Sequence, residues 1–262
     1  MKKRIISACV LIPVVVACFL ISPVTRALLL LAAAVLAVWE MSRALGKADM
    51  RCPAYTLYMY VAAAALFLYF RLDRVYSEAL FFAALLSVLT LGVVDRRIGA
   101  RGSVAGLFVL VYPTIPFLLI LSFALSESWI PVFLIGCVSA WVCDSFALFG
   151  GKRFGKHKLC PEVSPNKTIE GTLCGALASA VAGIGFYFAL RSGFGITLSR
   201  CVLTAFICSS FGQVGDLAAS LIKRMTGVKD YSNLIPGHGG VMDRGDSLLF
   251  SIPVAYFCLV II

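Results

Sequence analysis

Apolar residues run unbroken through long stretches of this chain, as in Ala27–Trp39 and Val61–Phe70. A strand of a membrane barrel alternates apolar and polar positions, so runs of this kind exclude a barrel and leave helices. A helix pairs its own backbone N–H and C=O groups, the condition for entering hydrocarbon at all. Of the 262 residues, 61% are hydrophobic and 14% charged. Soluble domains carry about 45–50% apolar and about 25% charged residues, so neither a water-soluble globule nor a disordered chain fits. The expected fold is an all-α integral membrane protein, a polytopic helical bundle.

A spanning helix needs about 20 apolar residues. Nine candidate segments emerge: 5–22, 27–41, 54–70, 79–94, 103–125, 130–150, 171–190, 197–217 and 247–262. Pro13, Pro113 and Pro116 fall inside them, where neighbouring helices are expected to satisfy the carbonyls that proline frees. Lys and Arg distribute unevenly over the connections: with the N-terminus inside, 18 fall on the cytoplasmic side and 5 outside. The positive-inside rule then predicts an N-in, C-out chain. Met1–Arg4 and the apolar run after them are read as a retained signal anchor, because cleavage would spoil this alternation. Residues 1–125 are expected to hold the N-terminal, lipid-facing and packing helices. Residues 126–262 are expected to form the catalytic region, with long cytoplasmic loops at 150–171 and 218–246. None of the 10 cysteines forms a C-x-x-C pair, and the 2 histidines are too few for a Cys/His zinc site. No disulfide is expected.

Apart from Glu40 near the second span, the acids well within the apolar segments are Asp144 and Asp216. Each stands just upstream of one long loop, and intramembrane carboxylates default to function. Gln213, Asp216, Ser220 and Lys223 step by three, four and three residues, one stripe of a helix that continues into the cytoplasm with Arg224 beside it. Lys229 and Asp230 follow, then Ile235-Pro236-Gly237-His238-Gly239-Gly240, which must be irregular backbone. Asp243 and Asp246 lie three apart and face the same way if they open the ninth helix. Asp216, Asp243 and Asp246 offer hard oxygen ligands of the kind Mg²⁺ takes. Lys223, Arg224, Lys229 and Arg244 offer charge to phosphate oxygens, and glycines let backbone N–H groups approach an anion. A metal, cations and a Gly-rich turn are the equipment of phosphoryl or nucleotidyl transfer. An ordinary positive-inside loop explains the basic residues but not three acids.

In the other loop, Gly150, Gly151 and Gly155 interleave with Lys152, Arg153, Lys156 and Lys158. This is no P-loop, though its cations and backbone could wrap a triphosphate; a basic loop resting on anionic headgroups is the competing reading. Ser164-Pro165-Asn166-Lys167-Thr168 and Glu170-Gly171 are not demanded by any simple charge argument.

The stretch Ser220-x-Ile222-Lys223-Arg224-x₄-Lys229-Asp230-x-Ser232-x₂-Ile235-Pro236-x-His238-Gly239-Gly240-Val241-x-Asp243-Arg244-x-Asp246 resembles the signature of the phosphatidate cytidylyltransferase (CDP-diacylglycerol synthase) family. Asp144…Gly155-Lys156-x-Lys158…Ser164-Pro165-x-Lys167-Thr168-x-Glu170-Gly171 is also similar to that family. One departure stands at Gly245, where the family pattern expects an apolar residue. Glycine there is expected to loosen the first turn of the last helix by about 1 kcal/mol.

The resemblance implies CTP + phosphatidate → CDP-diacylglycerol + pyrophosphate, in phospholipid biosynthesis, with Mg²⁺; whether a second metal or a monovalent ion joins it stays open. It implies catalytic roles for Asp216, Lys223, Arg224, Lys229, His238, Asp243, Arg244 and Asp246, the three aspartates as metal ligands. Substrate contacts are implied for Asp144, Lys156, Ser164, Lys167, Thr168, Glu170, Ser220, Gly239 and Gly240. The expected partners are CTP, phosphatidate and membrane lipid, a second copy in a homodimer, and no nucleic acid. The expected location is a bacterial inner membrane, with the site facing the cytoplasm. The nearest rival is a related CTP-using enzyme with another lipid, such as a polyprenol kinase, against which Asp243-Arg244-x-Asp246 argues. An ion-coupled transporter built on Asp144 and Asp216 would predict inverted repeats, and none is visible.

Overall fold

The computed structural model describes residues 2–261; Met1, where the expected signal anchor begins, and Ile262, where the expected ninth span ends, lie outside the described residues. Eleven helices and one small hairpin make up the described chain. Six helical stretches are long and apolar enough to cross a membrane: Pro23–Lys47, Arg74–Val94, Gly99–Ala124, Trp129–Phe154, Ile169–Arg191 and Leu198–Met225. The other three expected spans fall on shorter apolar helices, Cys9–Ile21, Ala54–Tyr69 and Leu248–Ile261. The architecture is all-α and polytopic; among the described residues six helices are long and apolar enough to cross a membrane, and the remaining three of the nine expected segments are shorter apolar helices.

Two compact units divide the chain, Met1–Leu125 with Lys223–Arg244, and Ser126–Ile222 with Gly245–Ile262. In the first unit, α1 (Lys2–Ile21) turns into α2 (Pro23–Lys47) over a single residue. Ser22 and Thr25 form a capping box: Ser22 Oγ accepts the Thr25 N–H at 3.1 Å and Thr25 Oγ1 accepts the Ser22 N–H at 3.2 Å. Pro23 occupies the first helical position, where its missing N–H costs nothing. α2 packs on α3 (Ala54–Tyr69), α5 (Gly99–Val109) and α6 (Ile115–Ala124), while α4 (Arg74–Val94) packs on α3 and α5. Ala37, Val38, Met41, Leu57, Val61, Val88, Ala105 and Val109 are buried in this core.

Between α5 and α6 the helix widens into a π-turn, Leu110–Thr114, centred on Pro113. Proline has no N–H for the carbonyl four residues back, which is Val109. The adjacent Thr114 hydroxyl donates to that carbonyl at 2.8 Å, and Thr114 is fully buried. The carbonyl freed by Pro113 is thus satisfied from within its own helix rather than by a neighbour, and the two helices act as one span.

The second unit is built on α7 (Trp129–Phe154), α8 (Ile169–Phe194), α9 (Leu198–Met225, through Ile222) and α11 (Leu248–Ile261). α7 and α8 pack along much of their length. The reason is visible at Gly175, where a Cβ would press on the Cys143 carbonyl and sulfur of α7. Ile135, Phe186, Leu190, Cys201 and Ala205 close the core of this unit.

The segment expected as a loop over 150–171 is largely ordered. α7 continues to Phe154, and β1 (Lys158–Cys160) pairs antiparallel with β2 (Ser164–Thr168), which leads directly into α8. The expected opening of the ninth helix at Asp243–Asp246 also differs: α10 (Met242–Gly245) is a separate short helix, and α11 starts at Leu248.

Replacing Thr114 by Val should leave the Val109 carbonyl only the backbone N–H of the π-turn and cost the hydroxyl's hydrogen bond, about 0.5–1.5 kcal/mol. Thermal unfolding in detergent should show Thr114→Val below wild type and Thr114→Ser close to it. Equal midpoints for all three would remove the hydroxyl from this account.

Candidate active site

Within the second unit, polar groups gather on the facing sides of α7, β2 and α9. Asp216 of α9 forms an ion pair with Lys167 of β2, and Ser220 Oγ, one turn on, donates to Asp216 Oδ1 at 3.5 Å. Asp144 of α7 lies within electrostatic reach of both Asp216 and Lys167. Gln213, one turn before Asp216, donates to the Thr172 carbonyl at 3.3 Å and so ties α9 to the start of α8. Gly215 meets the backbone of Asp246 so closely that a Cβ would collide with its carbonyl oxygen. Asp216 therefore sits next to the point where the Asp246 backbone meets α9. Asp246 Oδ1 accepts the Ser247 N–H at 2.8 Å.

The hairpin is pinned by its own polar residues. Glu170 accepts from the Lys156 N–H at 3.1 Å, from the His157 N–H at 3.2 Å, and pairs with His157 Nδ1 at 2.6 Å. Thr168 caps α8, its Oγ1 accepting the Gly171 N–H at 3.1 Å. Lys158 Nζ donates to the Pro165 carbonyl at 2.7 Å. These bonds hold the strand that carries Lys167 to α9's carboxylate. Lys156 itself is exposed, and Ser164 opens β2 opposite Cys160.

In the first unit, the segment from Lys223 to Arg244 folds around two carboxylates. Asp243 Oδ1 takes Lys223 Nζ at 3.0 Å, while Oδ2 accepts the N–H groups of Tyr231 at 2.8 Å and Gly240 at 2.9 Å. The Asp243 side chain is 4% exposed, and Lys223 Nζ also lies 5.6 Å from the centre of the Tyr231 ring. Arg244 Nε donates to the His238 carbonyl at 2.9 Å, which leaves the outer guanidinium nitrogens beyond that contact. Ser7 of α1 donates to the Pro236 carbonyl at 2.9 Å and lies 2.8 Å from His238 Nδ1. With the hydroxyl proton on that carbonyl, Nδ1 is the donor to Ser7. Arg224, Lys229 and Arg244 are exposed.

The second carboxylate is Glu40 of α2, which is fully buried. Its Oε1 accepts Ser232 Oγ at 2.6 Å and the Val241 N–H at 2.9 Å; its Oε2 accepts the Met242 N–H at 2.7 Å. Sequence reading passed over Glu40 as an acid near a span. Its partners stand 192 to 202 positions away, too far for any spacing rule to connect. The available signal was a lone acid in an otherwise apolar helix.

Among the described residues no group of three or more His, Cys, Asp or Glu side chains forms a ready cage for a cation. Mg²⁺ seldom needs one, since it is commonly held through one or two carboxylates plus substrate phosphates and water. The paired Asp216, with Asp144 in electrostatic reach and the Asp246 backbone against Gly215, is a donor set of that kind.

Comparison with known proteins agrees with this chemistry. The model of the cytidylyltransferase family matches residues 2–262. A Bacillus subtilis protein named phosphatidate cytidylyltransferase is 46% identical over 123 residues, 47% of this chain and 45% of the relative. One of the same name from Staphylococcus haemolyticus is 42% identical over 120 residues, 46% of this chain and 45% of the relative. An Aquifex aeolicus protein, also of that name, is 36% identical over 176 residues, 67% of this chain and 64% of the relative. The chain thus spans about half the length of the first two relatives and slightly under two thirds of the third.

If Asp243 holds the Tyr231–Gly240 segment, Asp243→Ala should expose it. Trypsin in detergent should cut after Lys229 at least about tenfold faster than in wild type, since cleavage follows the population of the open segment. Asn233→Ala, at an exposed position of the same segment away from the scissile bond, should leave the rate unchanged. Equal rates for both variants would contradict the clamp.

Proposed function

Because the chain belongs to the cytidylyltransferase family, we propose that it transfers the cytidylyl group of CTP to phosphatidate, giving CDP-diacylglycerol and pyrophosphate for phospholipid synthesis. The observation that carries this reading is the Ser220–Asp246 signature, folded around Asp243 and Glu40, in a chain that the family matches over residues 2–262.

The chemistry suits these residues. The phosphatidate phosphate is itself an anionic nucleophile, so no strong general base is required. One of its oxygens bonds to the α-phosphorus of CTP as the α–β anhydride bond breaks, and pyrophosphate leaves with that electron pair. What the protein must supply is in-line positioning and compensation of phosphate charge. Arg244, braced through Nε on the His238 carbonyl, keeps its outer nitrogens for a two-pronged grip on phosphate oxygens. Arg224 and Lys229 bring exposed positive charge to the same segment. Lys223 spends its charge on Asp243 and acts on the shape of the segment as much as on the substrate. Lys167 is held on Asp216, and His238 shapes the turn through its contact with Ser7.

We assign Mg²⁺ to Asp216 and Asp246 of the second unit; the signature also points to Asp243, whose two oxygens are here taken by Lys223 and by the Tyr231 and Gly240 N–H groups. A divalent ion held there would supply charge compensation for triphosphate oxygens. Lys156, Ser164, Thr168, Glu170, Ser220, Gly239 and Gly240 belong to the same proposal as substrate-side residues. For Thr168 and Glu170 the role is indirect, since their oxygens are taken by the backbone of the hairpin and of α8. The 18-to-5 division of Lys and Arg supports an N-in, C-out topology with the site at the cytoplasmic face of a bacterial inner membrane. A homodimer rests on the family resemblance alone.

The test is product formation by purified protein in detergent with CTP, phosphatidate and either Mg²⁺ or EDTA. CDP-diacylglycerol and pyrophosphate should appear in equal amounts with Mg²⁺ and disappear with EDTA. Asp216→Asn should lower the rate by about 100-fold or more. A folded wild-type protein that forms no product from phosphatidate but accepts another lipid would overturn the substrate assignment. An Asn variant with full activity would overturn the metal assignment.

A further inference from the structure

We propose that Glu40 is a positioning residue for the phosphate-binding turn: its buried carboxylate sets the backbone of residues 232–242 and with it the shape that the turn presents to phosphate oxygens. This rests on the function proposed above. Nothing in the chemistry of cytidylyl transfer calls for an acid inside α2, yet Glu40 is 0% exposed and accepts three hydrogen bonds, all from this one segment. A buried carboxylate is tolerable only when its oxygens are filled, so the segment and the acid require each other.

The direction of the bonds gives the inference its content. Glu40 binds the N–H groups of Val241 and Met242, and Asp243 binds those of Gly240 and Tyr231. The Ile235 N–H goes to the Gly239 carbonyl and the His238 N–H to the Ile235 carbonyl. Ile235 and Gly239 thereby form an isolated antiparallel bridge that closes the turn, with Gly237 at its tip. Both glycines have positive φ, 79° and 83°, backbone that a side chain would strain. Two carboxylates thus take up the amides on the inner side of the turn, while the Ile235–Gly239 bridge closes it from the other side. Without those bonds the turn would have no fixed shape to present.

Gly240 carries the same argument from the other side. A Cβ there would run into Glu40 Oε1 and Cδ, so the acid requires glycine at that position. Ser232 adds the third bond to Glu40, and its Oγ also accepts the Leu234 N–H at 3.2 Å, joining the start of the turn to its end.

The experiment compares wild type, Glu40→Gln and Gly240→Ala as full-length proteins in detergent. Gln keeps the size but turns an N–H₂ group towards one of three donors. Hydrogen–deuterium exchange should quicken at least about tenfold within 231–243 and stay unchanged in α7 and α8, with a similar unfolding midpoint. Steady-state kinetics should show kcat/KM for CTP reduced at least about tenfold in both variants. Unchanged exchange in 231–243 and unchanged kinetics in Glu40→Gln would overturn the proposal. So would a loss of activity matched by faster exchange throughout the protein and a lower midpoint, since Glu40 would then serve stability alone. If wild type itself forms no product, the proposed function fails, and ³¹P line broadening of inorganic pyrophosphate decides the inference. Broadening by wild type that is lost in Glu40→Gln supports a held anion turn, and no difference overturns it.

Discussion

A carboxylate held among apolar helices has to find donors for its oxygens, and in this chain that requirement organises the segment that carries the signature. Glu40 and Asp243 together accept from Ser232, Val241, Met242, Lys223, Tyr231 and Gly240. Six donors between Lys223 and Met242 are thereby committed to two side chains, and a stretch with little regular structure acquires one shape. The logic resembles that of a helix cap, in which a side-chain oxygen fixes backbone N–H groups that would otherwise be orphaned. Here it is applied to a turn, and the carboxylates do so with the added strength of a charged acceptor.

The same economy governs the second unit. Lys167 and Asp216 neutralise each other between β2 and α9, and the hairpin that delivers Lys167 is fixed by Glu170 and Thr168. Small residues allow the elements to approach: Gly175 against Cys143 of α7, and Gly215 against the backbone of Asp246. Tight backbone approach through glycine is how helices associate where no hydrophobic gain separates helix from lipid. In both units polar side chains are first spent on holding backbone in place, and fewer remain exposed for a ligand.

Much of this was legible in the sequence, and the limits have physical causes. Unbroken apolar runs specify helices, so the all-helical, polytopic fold followed directly. The number of spans is less directly legible, because α3 with 16 residues and α11 with 14 are apolar without being long. The continuation of α9 past Lys223 followed from the three-and-four spacing of Gln213, Asp216, Ser220 and Lys223. Pairings inside one segment, such as Ser220 with Asp216, lie within reach of helical periodicity. The hairpin at 158–168 was missed because β1 has only three residues and its stability comes from Glu170, outside both strands. Glu40 was missed for the opposite reason, since its donors arrive from the far end of the chain.

Gly245 shows how local geometry can reverse a reading made from propensity. In a helix interior a glycine costs about 1 kcal/mol, and a continuous last helix opening at Asp243 would have borne that cost at its first turn. The chain instead ends α10 at Gly245 and begins α11 at Leu248. Glycine therefore stands at a helix end, where weak propensity favours the break. Asp246 occupies the gap, its Oδ1 on the Ser247 N–H, while the Ser247 carbonyl accepts from Phe250 and Ser251 as α11 starts. A carboxylate just before a helix N-terminus is favoured by the helix dipole. An apolar helix former at 245 would favour joining the two helices and carrying Asp246 into the run. The departure at 245 thus fits the separation of Asp243, which shapes the turn in the first unit, from Asp246, which belongs to the second.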